Sequence, residues 1–414
     1  MGKRCGLAAE HRVSAAVSRV DKNHPSEEWI ATLRQRLPCE AELDRILTRK
    51  LRRRAGPPFA SVRLETLVAG VDALLRSELG DDFTISAASW LSGGASKLQM
   101  AFTLQWHRPR LGPTTSRMVL RMEPSESITE TSRLREYQII KACAGVVPLP
   151  EVHWVDADGS FLPYPAIIYG FVEGTPKPSA SSSGVSGVGT FFPPAMRGAL
   201  GAQFAEQLGR IHAFDWRASQ LSAFDKPRPG FDAVTWDLNH WERVWEEDVN
   251  EDVPLIRLAF AWLRANMPPV DHVSVVHGDY RTGNFLFTEH DQRITAWLDW
   301  EMAYLGDRHG DLAWAVKSLL GGMAEDGKTF LVGGLMPRQE FFAAYERASG
   351  LPVIPKVLDY YDIFGTLKIV AICIASGYRA ARNGKTHQDV LVAWLTGISY
   401  SLLEDLRVKL EAVL

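Results

Sequence analysis

Two apolar runs in VVHGDYRTGNFLF (275–287) enclose a turn that carries His277, Asp279 and Asn284. Downstream, RITAWLDWE closes a second strand-like run on Asp299, with Glu301 two residues later. If the two runs pair as an antiparallel hairpin, the start of the first and the end of the second lie at the same end. Asp279, Asn284 and Asp299 then converge. A carboxylate and an amide oxygen are hard ligands, suited to a Mg²⁺ that also holds phosphate oxygens. A separate aspartate beside them suits a general base taking the proton of an attacking hydroxyl. Phosphoryl transfer asks for this set, because it depends on positioning and charge neutralisation more than on covalent work. Each acid alone is an ordinary turn or cap residue. Jointly, HGD, four residues, Asn and a hairpin ending in LDWE form a specific pattern.

The elements around that turn divide the chain. Residues 1–80 read as helical: apolar residues recur at three- and four-residue intervals in EEWIATLRQRLPCEAELDRILTRKLRRR and LETLVAGVDALLRSEL. The basic cluster LTRKLRRR at 47–54 reads as a solvated helix face rather than a nucleic-acid patch. Residues 81–172 change to strands: FTISAASWL, LQMAFTLQW and SRMVLRM, then, after the helix TSRLREYQIIKACAG, two more strands in VHWVDADGSFLPYPAIIYGFVEG. This predicts a small antiparallel sheet carrying one helix. The Ser-, Gly- and Pro-rich stretch 176–194 reads as a connection near the junction of two lobes. From there to residue 414 the pattern is mainly helical, interrupted by the hairpin. The expected fold class is α+β: a small β lobe and a large helical lobe behind an N-terminal helical extension.

Composition excludes several classes. The 414 residues are 46% hydrophobic and 23% charged, as in an ordinary globular chain. Net charge is −3 and the pI about 6.4, so no global basic field recruits a nucleic acid polymer or an anionic membrane. Cys5, Cys39, Cys143 and Cys373 have no metal spacing and suit reduced thiols in a cytosol. No run of 18 apolar residues occurs. The opening MGKRCGLAAEHRVSAAV is broken by Glu10, His11 and Arg12 and lacks a hydroxyl residue at position 6, so neither a signal peptide nor myristoylation is expected. The expected location is cytoplasmic.

HGDYRTGNFLF, ITAWLDWE and GDRHGDLAW together resemble the aminoglycoside phosphotransferase and choline kinase superfamily, relatives of the protein kinases. FAWLRANMPP and LGRIHAFDW are similar to one branch, the phosphotransferases related to the kinase-like domain fused to some acyl-CoA dehydrogenases. The resemblance covers roughly 85–385. It implies a bilobal protein-kinase-like fold with a nucleotide-binding lobe at 81–172, a helical lobe at 173–414, and ATP and Mg²⁺ as cofactors. It implies that Asp279 is the catalytic base, that Asn284 and Asp299 bind metal, that His277 braces the loop, and that Asp311 hydrogen-bonds the catalytic-loop backbone. Proline often stands in the family where this chain has Arg308. LSGGASKLQMAF would cover the phosphates, with Ser92, Gly93, Gly94 and Ser96 offering backbone and hydroxyl donors. Arg121 in SRMVLRM stands where kinases usually carry lysine, and its planar fork offers several donors rather than a point charge. Glu136 is its expected ion-pair partner; Lys97, in the turn, is the alternative cation and reads as solvated. Backbone groups of Tyr169, Gly170 and Phe171 are placed to meet a purine edge.

The acceptor is less legible. FDAVTWDLNHWERVWEEDVNEDV carries Trp236, Trp241 and Trp245 with several acids, among them Glu242, Glu246, Glu247 and Asp248. The acids read as the wet face of an amphipathic helix; the tryptophans read as core or as one wall of a partly apolar substrate pocket, and Glu301 as a pocket candidate, an outer-shell metal partner or a helix-start acid. The sequence therefore predicts an O-phosphotransferase acting on a small-molecule hydroxyl. An aminoglycoside kinase requires an acidic cleft, and a kinase of a hydroxyacyl-CoA or another catabolic alcohol requires a basic or apolar channel. A nucleotide-binding pseudokinase scaffold, favoured only by Arg121, is opposed by retention of Asp279, Asn284 and Asp299.

Overall fold

Pro38 divides the first charged stretch into two helices, α1 (Glu27–Arg36), capped by the Ser26 hydroxyl accepting from the Trp29 N–H, and α2 (Ala41–Arg53). The computed structural model describes residues 20–91, 97–180, 191–387 and 389–414. The phosphate-covering turn expected at Ser92, Gly93, Gly94 and Ser96 lies outside them. Helix α3 (Leu64–Leu79) leads into β1 (Phe83–Trp90), β2 (Leu98–Arg108) and β3 (Gly112–Met122), then α4 (Arg133–Ala142), β4 (Val152–Asp156) and β5 (Ala166–Gly170). The five strands form one antiparallel sheet in the order β1-β2-β3-β5-β4. Leu67, Val71, Leu74 and Leu75 of α3 pack on Met100, Phe102, Met118 and Leu120 of this sheet, making the core of the small lobe. Among the first helices, α3 thus lies against the sheet, while α1 and α2 turn toward the large lobe.

The large lobe begins with α5 (Pro194–Ala213), α6 (Asp232–Asp248) and α7 (Pro254–Ala265). The short strand β6 (Val273–Val276) follows, then the hairpin β7 (Phe285–Thr288) and β8 (Arg293–Trp297), and β9 (Tyr304–Asp307), which returns to pair with β6. The β6–β9 pairing was not legible, since YLGD is short and ends in turn-like residues. Helix α8 (His309–Ala315), the short strands β10 (Gly322–Met323), β11 (Phe330–Val332) and β12 (Met336–Pro337), and helix α9 (Arg338–Ser349) come next. Helices α10 (Pro355–Val370) and α11 (Tyr378–Arg382) are joined by a π-helical turn, Ala371–Gly377, and α12 (Asp389–Glu411) closes the chain. The lobe's core gathers Phe204, Leu208, Trp241, Val275, Phe285, Trp297 and Phe364 around the hairpin. No helix among the described residues is long and apolar enough to cross a membrane.

Two charged stretches differ from expectation. In 47–54, Lys50 and Arg54 are buried, at 5% and 3% exposure, although Arg52 and Arg53 are solvated. On α6, Glu247 and Asp248 are buried too. The two sets meet: Lys50 Nζ lies 3.0 Å from both Glu247 and Asp248, and the Arg54 guanidinium pairs with Asp248 at 2.5 Å. Ser376 of the π-helical turn also donates to Asp248, at 2.7 Å. Buried charge is tolerated when it is paired and hydrogen-bonded, and the partner for each sign comes from about two hundred residues away.

Candidate active site

The β6 strand delivers His277, Gly278 and Asp279 into a turn that cannot be built without glycine at its centre. Gly278 has φ +84°, and a Cβ there would lie 2.4 Å from the Met302 carbonyl oxygen. Asp311, on α8 and wholly buried, accepts from the backbone N–H of His277 at 2.6 Å and of Gly278 at 2.8 Å, and His212 Nε2 stands 3.2 Å from it. His277 bridges the two arms of the site: its Nδ1 accepts from the Asp279 N–H at 3.3 Å and its Nε2 donates to the Leu298 carbonyl at 3.0 Å. Its ring packs on Trp300, centroids 4.6 Å apart.

Asp279 is the best-held side chain of the turn. Arg281 Nε lies 3.0 and 3.1 Å from its two oxygens, Asn284 Nδ2 donates to Oδ2 at 2.7 Å and to its backbone oxygen at 2.9 Å, and Trp314 Nε1 donates to Oδ1 at 2.8 Å. Burial pushes the carboxyl above its usual range; Arg281 opposes that, and the Asp299 charge adds to it. Sixteen per cent of the side chain stays exposed, enough for a small partner to reach it. Arg281 and Trp314 were not singled out from the sequence. The signal for Trp314 was present in GDLAW, one helical turn beyond Asp311.

The hairpin register Phe285↔Trp297, with the Leu298 N–H donating to the Asn284 carbonyl at 2.7 Å, sets the end of β8 beside Asn284. Asp299 follows in the left-handed region at φ +65°, a conformation that turns its carboxylate back toward the small lobe. It hydrogen-bonds Arg121 there. Because Asn284 spends its amide hydrogens on Asp279, its Oδ1 is the end left for a cation. Among the described residues no group of three or more His, Cys, Asp or Glu is arranged to hold a metal. One amide oxygen and one carboxylate, completed by phosphate oxygens and water, suit Mg²⁺, which is seldom caged by protein alone.

Arg121 on β3 is 5% exposed and carries three carboxylates: Glu136 of α4 at 2.7 Å, Glu301 at 3.1 Å, and Asp299. Glu136 is itself buried, at 1% exposure, and pairs also with Arg133. Lys97 is not solvated. It is 2% exposed, with Glu123 at 2.7 Å, Ser127 at 2.9 Å and Glu301 at 3.3 Å. The expectation failed because its partners are distant in sequence, Glu123 and Ser127 just after β3 and Glu301 after β8. Glu301 joins Lys97, Arg121 and Arg133, and these cations outweigh its burial to hold its carboxyl well below the usual range. At the strand between the lobes, the N–H groups of Gly170 and Phe171 donate to the Glu151 and Arg117 carbonyls at 2.8 and 2.9 Å, so both are engaged within the sheet. The Phe171 ring carries the Arg117 guanidinium at 3.8 Å, and the Tyr169 phenol, pushed up to about 12 by burial, faces Arg121.

A cavity open to solvent adjoins the His277–Asp279 turn at Gly278, Glu301 and Met302. Trp236 and Trp241 line it. Trp245 does not; it is 4% exposed in the lobe's core, one turn further along α6.

The sequence profile of the phosphotransferase enzyme family matches residues 102–360. Acyl-CoA dehydrogenase family member 10 of Mus musculus is 27% identical over 279 residues, covering 65% of this chain and 25% of that protein. The chain therefore spans about a quarter of that relative's length. A solved Ralstonia eutropha structure, provisionally described as an aminoglycoside phosphotransferase, is 22% identical over 82% of this chain and 98% of its own, with a TM-score of 0.56. Macrolide 2′-phosphotransferase type I is 17% identical over 81% of this chain and 99% of its own, at 0.51. Both share the bilobal, protein-kinase-like fold.

Proposed function

The chain belongs to the phosphotransferase enzyme family, and from that premise we propose that it transfers the γ-phosphoryl group of ATP to a hydroxyl of a small molecule. The observation that carries this reading is the setting of Asp279. Three donors fix its carboxylate, burial raises its basicity, and a cavity opens beside it. Such a group takes the hydroxyl proton as the acceptor oxygen bonds to phosphorus and the bond from phosphorus to the ADP oxygen breaks. Asn284 and Asp299 would hold Mg²⁺, which when bound neutralises the β- and γ-oxygens. Arg121 presents its fork toward the phosphates, oriented by Glu136. Asp311 and His277 keep the turn in shape without touching substrate.

A second reading, in which the acceptor is a hydroxylated acyl thioester, draws on the relative named as an acyl-CoA dehydrogenase family member. The test is ATP-dependent phosphorylation of a panel of aminoglycosides, hydroxyacyl thioesters and simple alcohols, with Asp279→Asn as the control. Turnover of one acceptor class that falls at least about a hundredfold in Asp279→Asn is the expected result. Equal turnover in the two proteins overturns the assignment.

A further inference from the structure

The corner between α1 and α2 closes one wall of the cavity with Glu40 and Leu43. These residues lie outside the stretch that matches the family. The corner is pinned to the large lobe. The Asn239 amide donates to the Pro38 carbonyl at 2.7 Å, the Ala41 N–H to Asp225 at 2.7 Å, and Arg243 holds Asp44 at 2.5 Å. It is pinned to the small lobe as well, where Glu40 takes both arms of Arg135 on α4, at 2.7 and 3.0 Å.

That last pair is one of several that cancel the charges on the wall. Lys368 meets Asp237 at 2.6 Å, with its ammonium 4.3 Å from the Phe364 ring centroid. Glu301 is shared among Lys97, Arg121 and Arg133. The fourth acid, Glu130, has Arg49 3.9 Å away, and burial with the Glu123 charge pushes its carboxyl up. The rest of the lining is mostly apolar, with Leu43, Trp236, Trp241, Met302 and Leu305 outweighing Thr129, Thr131 and Tyr304. Two lining side chains have a buried polar atom without a hydrogen-bond partner, Tyr304 Oη, which has the Asp237 charge beside it, and His240 Nε2. Burial and the nearby Lys368 and Arg135 push the His240 imidazole down to about 3, which keeps it neutral.

A polycationic sugar needs carboxylates free to receive it, and a polyanion needs free cations; here each is already matched by a neighbour, and breaking such a buried pair is costly. We propose that the α1–α2 corner is a wall of the acceptor site, and that the part of the acceptor entering it is uncharged and mostly apolar, with one heteroatom read by His240. This deepens the phosphotransferase reading and rests on it.

The test measures binding to the full-length chain by calorimetry, with butanol to octanol as probes beside analogues of equal length bearing a terminal ammonium or carboxylate. Turnover with ATP is measured in parallel. Octanol is expected to bind at least about tenfold more tightly than either charged analogue. Leu43→Trp, which fills the wall, should weaken octanol about tenfold while ADP binding holds; if it does not fold, Trp236→Ala, on the same wall, should do the same. His240→Leu should abolish any preference for a hydroxyketone over the plain alcohol. Equal or tighter binding of a charged analogue, or octanol binding indifferent to folded Leu43 and Trp236 variants, overturns the proposal. Octanol that binds as expected but is never phosphorylated, alongside a panel silent with ATP, sinks the transfer reading and leaves the pocket standing.

Discussion

Arg121 and Asp299 are hydrogen-bonded to each other across the junction of the two lobes. One comes from the middle of the sheet, the other from a left-handed turn after the β7–β8 hairpin. The same guanidinium holds Glu136, so a single side chain ties the sheet, α4 and the hairpin together. If Asp299 holds a cation as proposed, that cation would compete with the Arg121 fork for one carboxylate.

Arg121→Met should therefore have opposite effects on two ligands. Affinity for the magnesium nucleotide should fall by about ten- to a hundredfold, the range for losing hydrogen bonds to charged groups. Affinity for Mn²⁺ alone should rise, because Asp299 is released. Arg121→Lys keeps the charge without the fork and should fall between. Calorimetric titrations with each ligand decide it, and unchanged nucleotide binding in Arg121→Met removes Arg121 from the phosphate site.

The rate of transfer should follow the ionised fraction of Asp279. Its carboxyl is raised, so the acid limb of kcat should lie above the ordinary carboxylate value of about 3.9, with rate lost as pH falls through it. Arg281 is the principal charge opposing that rise. Arg281→Gln should move the limb to still higher pH, and a pH profile of kcat for the two proteins shows whether it does.

Gly278→Ala should injure the His277–Asp279 turn from within. The new methyl meets the Met302 carbonyl in a backbone conformation that disfavours side chains. A loss of about 2 kcal/mol or more is expected by thermal melting, with kcat falling and ADP affinity held. A variant as stable and active as the parent contradicts the observed turn.

Asp248→Asn should loosen the first helices from the large lobe. It leaves Lys50 and Arg54 buried beside too little negative charge, at a cost of about 3 kcal/mol. Burial alone would raise the Asp248 carboxyl, yet Lys50 and Arg54 hold it well below the usual range. Its contribution is thus complete above the unfolded carboxylate value, about 3.9, and fades as pH drops beneath that. Urea denaturation at neutral pH and at about pH 3.5 should show the gap between the two proteins narrowing in acid.

The five strands of the small lobe could be read because each alternates or runs apolar between turn residues. The convergence of Asp279, Asn284 and Asp299 followed from hairpin geometry alone. What could not be read depended on distant partners. Lys50, Arg54 and Lys97 look solvated in any local window, and only residues brought from elsewhere make their burial tolerable. Trp236 and Trp245 share a helix and a residue type, yet one lines a cavity and the other fills a core, a distinction made by what packs against α6. Arg281 and Trp314 were missed because an arginine in a turn and a tryptophan in a helix have ordinary explanations until Asp279 is seen between them.

The anchoring of the first helices also has a cost in chain entropy. Lys22 reaches the Glu246 and Val249 carbonyls, Arg379 reaches Asn23, and Lys385 reaches the carbonyls of Gly56 and Pro57. These bonds join residues 224 to 356 positions apart, and contacts of such separation close large loops and form slowly. Docking of α1 and α2 onto the large lobe thus carries a high loop-closure cost, which their buried ion pairs help to offset.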